Sequence, residues 1–252
     1  MSVSQHGRNH SAVGIIGFGA FGQLIARHLA PHVTLFVYDP RLPPGMSGEQ
    51  GEVAVSSLAA VAGCPIVVLA CPVSCFEEVT QAIAPHLQPG ALVLDVGSVK
   101  VVPVEIMRRN LPAHVGIVGT HPLFGPQSAR DGIRGLKIAV CPVRGTHGRR
   151  VAAFLRRVLG LHVILTTPEA HDQEAATAQG LTHLIAKVLL RMEPLPCRMS
   201  TRSFELLMQA VGMVRHDAPE VIDAIERCNP YAPEVRRRFF AFASALAAEL
   251  EA

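Results

Sequence analysis

The stretch "GIIGFGAFG", Gly14 to Gly22, decides how this chain folds. Gly17, Gly19 and Gly22 stand at GxGxxG spacing, directly after the apolar run 12–17 and at the head of a helical stretch from Ala20 to Ala30. A glycine-rich turn between a strand and a helix allows a tight bend and a close backbone approach to a pyrophosphate. It also presents unpaired helix N–H groups to negative charge. The next apolar run, 33–38, ends at Asp39, where an acidic side chain can accept hydrogen bonds from ribose hydroxyls. Gly17, Phe18, Gly19, Ala20, Phe21, Gly22 and Asp39 are therefore the expected contacts of a dinucleotide. Asp39 repels a 2′-phosphate and favours NAD, whereas Arg41, two residues on, can pair with that phosphate and leaves NADP open.

Further apolar, β-branched runs recur at 65–70, 91–96, 115–118, 137–143 and 162–167, with helical patterns between several of them. Continuous runs of this length suit parallel strands covered on both faces. The expected class is α/β, a Rossmann-type, doubly wound, mostly parallel sheet. After Thr167 the strand pattern stops. Helical patterns follow over 168–192, 203–214, 217–227 and 233–251, so residues 12–167 are expected to form a dinucleotide-binding domain and 168–252 a helical substrate and dimerisation domain. Thr167-Pro168 fits an N-cap with proline at the first helical position. Ser74 with Glu77 and Asp217 with Glu220 both fit capping boxes. Val235, Phe239, Phe242, Leu246 and Leu250 form a seam at helical spacing, ordinary core or part of a homodimer interface.

Composition excludes several classes. The 252 residues are 49% hydrophobic and 17% charged, with a net charge of +3 and scattered basic residues, so no stripe for nucleic acid stands out. No apolar run is long enough to cross a bilayer, and "MSVSQHGRNH" does not read as a leader, so a soluble cytoplasmic protein is expected. The cysteines at 64, 71, 75, 141, 197 and 228 form no CxxC pair or zinc pattern and read as reduced thiols without a metal.

Ligands of open α/β sheets bind at the carboxyl ends of the strands. Cys71 and Pro72 in "ACPVSCFEE" and Ser98 in "DVGSVK" follow strands and are expected to face the nicotinamide half of the cofactor. Ser98 equally suits the N-cap of the helix that follows, and Lys100 reads as a solvated surface lysine. "GTHPLFGPQSARDG" looks too polar for a core strand. It places His121 at the head of a long loop stiffened by Pro122 and Gly125-Pro126, where a near-neutral imidazole suits a base toward a hydroxyl undergoing oxidation. Asp172, Gln179 and His183 share one helix face.

Together, "GIIGFGAFG", "DVGSVK", "GTHPLFGPQS" and "HDQEAATAQGLTHLIAKVL" resemble the prephenate/arogenate dehydrogenase family, and the last stretch with "TRSFELL" looks closest to its arogenate branch. The resemblance implies oxidative decarboxylation of a cyclohexadienyl substrate with NAD or NADP. It casts His121 and Ser98 as catalytic, and His183, Gln179, Gln127, Ser128 and an arginine as substrate contacts. The family's substrate arginine falls in register near Gly212 or Met213, which leaves Arg215, Arg202, Arg130 and Arg134 as candidates and arogenate against prephenate open. The short flanks imply neither a fused chorismate mutase nor an appended regulatory domain. The rival readings are another Rossmann dehydrogenase or imine reductase with a helical domain, and a non-catalytic NAD-binding sensor.

Overall fold

A computed structural model describes residues 11–43, 45, 53–195 and 198–252. The N-terminal decapeptide and Cys197 lie outside the described residues. The elements run β1 (Ala12–Ile16), α1 (Ala20–Leu29), β2 (Thr34–Tyr38), β3 (Val53–Val55), α2 (Leu58–Ala62), β4 (Ile66–Leu69), α3 (Phe76–Ile83), β5 (Leu92–Asp95), α4 (Val101–Asn110), β6 (Gly116–Pro122), β7 (Lys137–Arg144), α5 (Gly148–Arg157) and β8 (His162–Leu165). Then come α6 (Pro168–Arg191), α7 (Arg202–Val214), α8 (Pro219–Asp223) with a π turn over Ala224–Cys228, and α9 (Ala232–Glu251). The strands form one sheet in the order β3-β2-β1-β4-β5-β6-β7-β8, parallel throughout except for the antiparallel β6–β7 pair. This is a Rossmann-type doubly wound sheet followed by helices.

The sheet is covered on both faces, which is why its strands read as continuous apolar runs rather than alternating ones. Adjacent residues of β1 show it. Ile15 packs with Ala26, Leu35 and Val37 on one side, and Ile16 with Val67, Phe76 and Met107 on the other. The reversal of strand order falls between β1 and β4, so the carboxyl ends of these two strands border the crevice where such sheets bind ligands. Strand β3, three residues long, gave no run in the sequence.

Two expectations about helix starts fail and one holds. Thr167 caps α6, its hydroxyl accepting from the Ala170 N–H at 3.2 Å. Ser74 instead lies in a 3₁₀ turn before α3, while Glu77 accepts from Arg109, Asn110 and Gln81, so the helix dock takes the glutamate from the cap. Asp217 lies before the Ala218 N-cap of α8 and turns to His183, with Oδ2 3.5 Å from Nε2.

His121 is not in a loop. It is the penultimate residue of β6 and is 3% exposed. Strand β5 pairs with β6 only as far as Asp95 opposite Gly119, while β7 pairs on to Pro122 opposite Ile138. Pro122 therefore stands beyond the end of β5, where its missing N–H costs no bond to that strand. The loop begins only after it, at Leu123.

Among the described residues no helix is long and apolar enough to cross a membrane. Cys64, Cys71, Cys75, Cys141 and Cys228 are free thiols.

Candidate active site

The glycines of the first turn are required by geometry. Gly17 has φ +98, and a Cβ there would lie 2.7 Å from the Ala70–Cys71 backbone. At Gly22 a Cβ would stand 2.2 Å from the Gly17 carbonyl oxygen. Gly19 differs, since a Cβ there would meet only the Arg41 guanidinium, at 3.8 Å. The protein's own packing does not need that glycine, and the open space lies over the N-terminus of α1, which no side chain caps and no acidic residue of the first turn neutralises. That is the cradle a pyrophosphate fits.

Asp39, 4% exposed at the end of β2, holds the turn. Its carboxylate accepts from the Phe18 N–H at 2.8 Å and the Arg41 N–H at 3.0 Å, and takes the Arg41 guanidinium in two bonds of 2.8 Å. The Arg41 bonds hold the Asp39 carboxyl well below the usual carboxylate range, against the opposing effect of burial. The Arg41 side chain is otherwise largely open to solvent. Asp39 and Arg41 thus form one unit, in which the arginine offsets the aspartate's charge at the end of β2.

Cys71 and Pro72 follow β4, and burial beside Cys75 pushes the Cys71 thiol up to about 12, so it is a neutral wall rather than a nucleophile. Phe21 of α1 packs on Phe124 of the loop after β6, with centroids 6.3 Å apart, which ties the glycine turn to the histidine strand.

Ser98 is half-buried after β5 and does not cap α4, whose N-cap is Lys100. The cap comes from across the molecule. Asp172 of α6 accepts from the N–H groups of Lys100 at 2.7 Å and Val101 at 2.8 Å. Lys100, expected on the surface, is fully buried, and its ammonium donates to the Asp95 carboxylate and, at 2.6 Å, to the Thr120 carbonyl. Burial pushes the Asp95 carboxyl up while Lys100 pulls it back. This pair fastens the end of β5 to the residue before His121.

His121 is the centre of a chain of contacts. Its Nδ1 lies 2.8 Å from His171 Nε2, and His171 Nδ1 lies 2.7 Å from Asp172 Oδ1. Because Asp172 Oδ1 already accepts the Lys100 N–H, it acts as an acceptor and His171 Nδ1 carries the proton facing it. His171 Nε2 then accepts from His121 Nδ1–H, and His121 is left with a bare Nε2. Burial, with His171 and Lys100 nearby, holds His121 well below the ordinary imidazole value, so it is neutral at neutral pH. The Gln179 amide lies 3.5 Å from the bare nitrogen, and Gln179 Oε1 has no partner. A lone pair at the carboxyl edge of the sheet, flanked by an adaptable amide, can accept a proton from a bound hydroxyl.

His183, 5% exposed and further along α6, faces Asp217. Burial holds it below the ordinary value against the pull of Asp217 and Glu226. Gln127 and Ser128 are exposed, with the Ser128 hydroxyl closing a turn on Gly125. Arg215 is paired with Glu193, Arg130 with Asp131 and Arg202 with Glu205, while Arg134 lies against Gly160. Among the described residues, no hydrogen bond or ion pair joins these arginines to His121, Gln179 or His183. His171, Asp95 and the role of Lys100 were missed in the sequence. The histidine-aspartate pair at 171–172 was the signal that could have found the first.

Fold and fingerprint define a dinucleotide-binding protein of the Rossmann type. Residues 47–142 match the model of the prephenate dehydrogenase nucleotide-binding domain. The chain is 29% identical to the probable arogenate/prephenate dehydrogenase of Methanocaldococcus jannaschii, over 69% of this chain and 41% of that one. It is 26% identical to the chloroplastic arogenate dehydrogenase 1 of Arabidopsis thaliana, over 90% of this chain and 37% of that one. It therefore spans about two fifths of the length of these relatives. The structure of prephenate dehydrogenase from A. aeolicus in complex with hydroxyphenyl propionate and NAD+ superposes with a TM-score of 0.73 at 22% identity, covering 100% of this chain and 91% of that one. The chain is thus similar, in its nucleotide-binding part and along most of its length, to prephenate and arogenate dehydrogenases.

Proposed function

We propose that this protein is an oxidoreductase that oxidatively decarboxylates arogenate or prephenate with NAD, or NADP, as hydride acceptor. The observation that carries this reading is the bare Nε2 of a buried histidine at the same sheet edge as the glycine fingerprint. In this reading residues 12–167 hold the cofactor and 168–252 form the substrate and dimerisation unit. Gly17, Phe18, Gly19, Ala20, Phe21, Gly22, Asp39, Arg41, Cys71, Pro72 and Ser98 are the cofactor contacts.

When bound, the oxidised nicotinamide supplies the acceptor for the hydride. The chain's own residues do the rest. His121 Nε2 accepts the ring hydroxyl proton as the carbon bearing it becomes carbonyl-like. Ser98 donates to that oxygen from the adjoining strand end. The ring carboxylate leaves as carbon dioxide as the ring aromatises, so the protein need only position the substrate and receive one proton.

Arogenate is the favoured substrate. It carries an ammonium where prephenate has a ketone, and Asp217 presents a carboxylate, 33% exposed, beside His183. An ammonium suits that carboxylate, and none of the arginine candidates is drawn to the cluster. The test is the absorbance of reduced nicotinamide with the purified protein, NAD or NADP, and arogenate or prephenate in all four combinations. Turnover is expected with arogenate. Turnover with prephenate alone removes the Asp217 argument, and silence in all four with NAD still bound moves the reading to a sensor.

The protein is further proposed to be a homodimer through its helices. The first half of the α9 seam, Val235 and Phe239, is partly covered, but Phe242, Leu246 and Leu250 stand open together with Leu206 and Met213 of α7. Exposed apolar side chains in this number on a small helical unit call for a partner, and a second copy presents the same side chains. Leu246→Asp is expected to halve the mass seen by light scattering. A wild-type chain that runs as a monomer would overturn this.

A further inference from the structure

His121 alone is poorly placed to hold the proton it is asked to take. It is buried, and the Lys100 ammonium lies on the same side of the molecule. A second cation on that ring would have no counter-charge in contact with it. The Asp172 carboxylate is one residue further along the chain of contacts, touching His171 and not His121.

We propose that His171 is a positioning residue that sets the His121 tautomer and takes over the charge of the abstracted proton through a two-histidine relay. This deepens the dehydrogenase reading and rests on it for the catalytic step. In the resting protein, protons sit on His171 Nδ1, facing Asp172, and on His121 Nδ1, facing His171. The substrate hydroxyl gives its proton to His121 Nε2 as the carbon bearing it gives its hydride to the nicotinamide. His121 passes its Nδ1 proton to His171 Nε2 in the same event. His121 ends neutral with its proton on Nε2, and His171 ends as an imidazolium 2.7 Å from the Asp172 carboxylate. One proton enters and none is lost, and the positive charge comes to rest where a negative one already stands.

Geometry favours this over a purely structural role. Asp172 is 0% exposed and is fixed by two backbone N–H groups of α4, so the relay's far end cannot swing away. The Asn229 amide donates to the Asp172 carbonyl at 2.8 Å, which pins the same residue from the C-terminal side. The rings of His121 and His171 meet edge to face at 71°, with Nδ1 of one 2.8 Å from Nε2 of the other. The charged and titratable groups around the pair are Asp95 of β5, Lys100 at the head of α4, Cys141 of β7, and Glu169 and Asp172 of α6.

Two measurements on the full chain test the relay. The first needs no activity: nitrogen-15 spectra of the imidazoles during acidification. The expected result is that the first proton taken up leaves His171 protonated on both nitrogens, while the His121 proton moves from Nδ1 to Nε2. His121 doubly protonated beside a neutral His171 overturns the proposal, whether or not the protein proves to be a dehydrogenase. The second is His171→Gln, whose amide can accept from His121 and donate to Asp172 but cannot take a proton. Turnover is expected to fall roughly 10²-fold with KM for the substrate little changed, and the acid limb of the kcat profile to move to lower pH, because His121 then titrates alone. A variant with the wild-type kcat and an unmoved limb makes His171 a structural contact only.

Discussion

Replacing His121 with asparagine is expected to lower turnover by roughly 10² to 10⁴-fold while leaving the NAD dissociation constant nearly unchanged. The asparagine amide lies about where Nδ1 was and can still donate to His171 Nε2, so the buried contact at 2.8 Å keeps a partner. What it lacks is the second nitrogen, the bare one. The cofactor contacts argued for Gly17, Gly19 and Asp39 follow other strands, β1 and β2, so binding has no reason to follow turnover down. Initial rates and a fluorescence titration of NAD on the same preparation separate the two quantities. Turnover within a few-fold of wild type would make His121 a packing residue and remove the base from the proposed mechanism.

The same residue shows what the sequence could and could not disclose. The fold was legible because its determinants are local: Gly17 and Gly22 are forced by atoms a few residues away or in the adjoining strand, and β1 reads as a buried run because both its faces are covered. That His121 mattered was also legible, from its place after a strand. Its surroundings were not. Pro122 looked like the start of a loop, because nothing local says that β5 has already ended beside it. Asp172 looked like one polar position on a helix face. Its carboxylate accepts from two N–H groups at the head of α4, some seventy residues away in the chain. Ser74 and Asp217 had the spacing for caps, but Glu77 was claimed by Arg109 and Asn110 and Asp217 turned to His183. Spacing reveals what a residue could bond within its own turn. It does not reveal which distant group offers a better bond.

Lys100 is the sharpest case, and changing it has the largest expected effect on stability. Lys100→Met keeps an unbranched side chain in the same space but removes the ammonium that compensates Asp95. The Asp95 carboxylate is fully buried; its Oδ1 has no hydrogen-bond partner, and without Lys100 its Oδ2 keeps only the Gly97 N–H at 3.0 Å. Removing one member of a buried pair costs about 3–5 kcal/mol, because the other charge is left without compensation. For a domain of this size that corresponds to a fall in Tm of roughly 6 to 20 °C. The pH dependence gives the diagnosis. Burial already pushes the Asp95 carboxyl above its ordinary value, and without Lys100 it rises further. An acid whose folded value is raised binds more protons in the folded state than in the unfolded one, so stability falls as pH rises through that interval. The deficit of Lys100→Met is therefore smallest at pH 4 and below, where the unfolded carboxyl also takes up its proton, and grows toward neutrality. Adding Asp95→Asn removes the stranded charge and is expected to recover part of the loss at pH 7 and little of it at pH 4. Thermal melts of the single and double variants at both pH values read this directly. A deficit that stays constant with pH would mean that Lys100 contributes through its packed methylenes and its bond to the Thr120 carbonyl, and that the ion pair beneath His121 is energetically neutral.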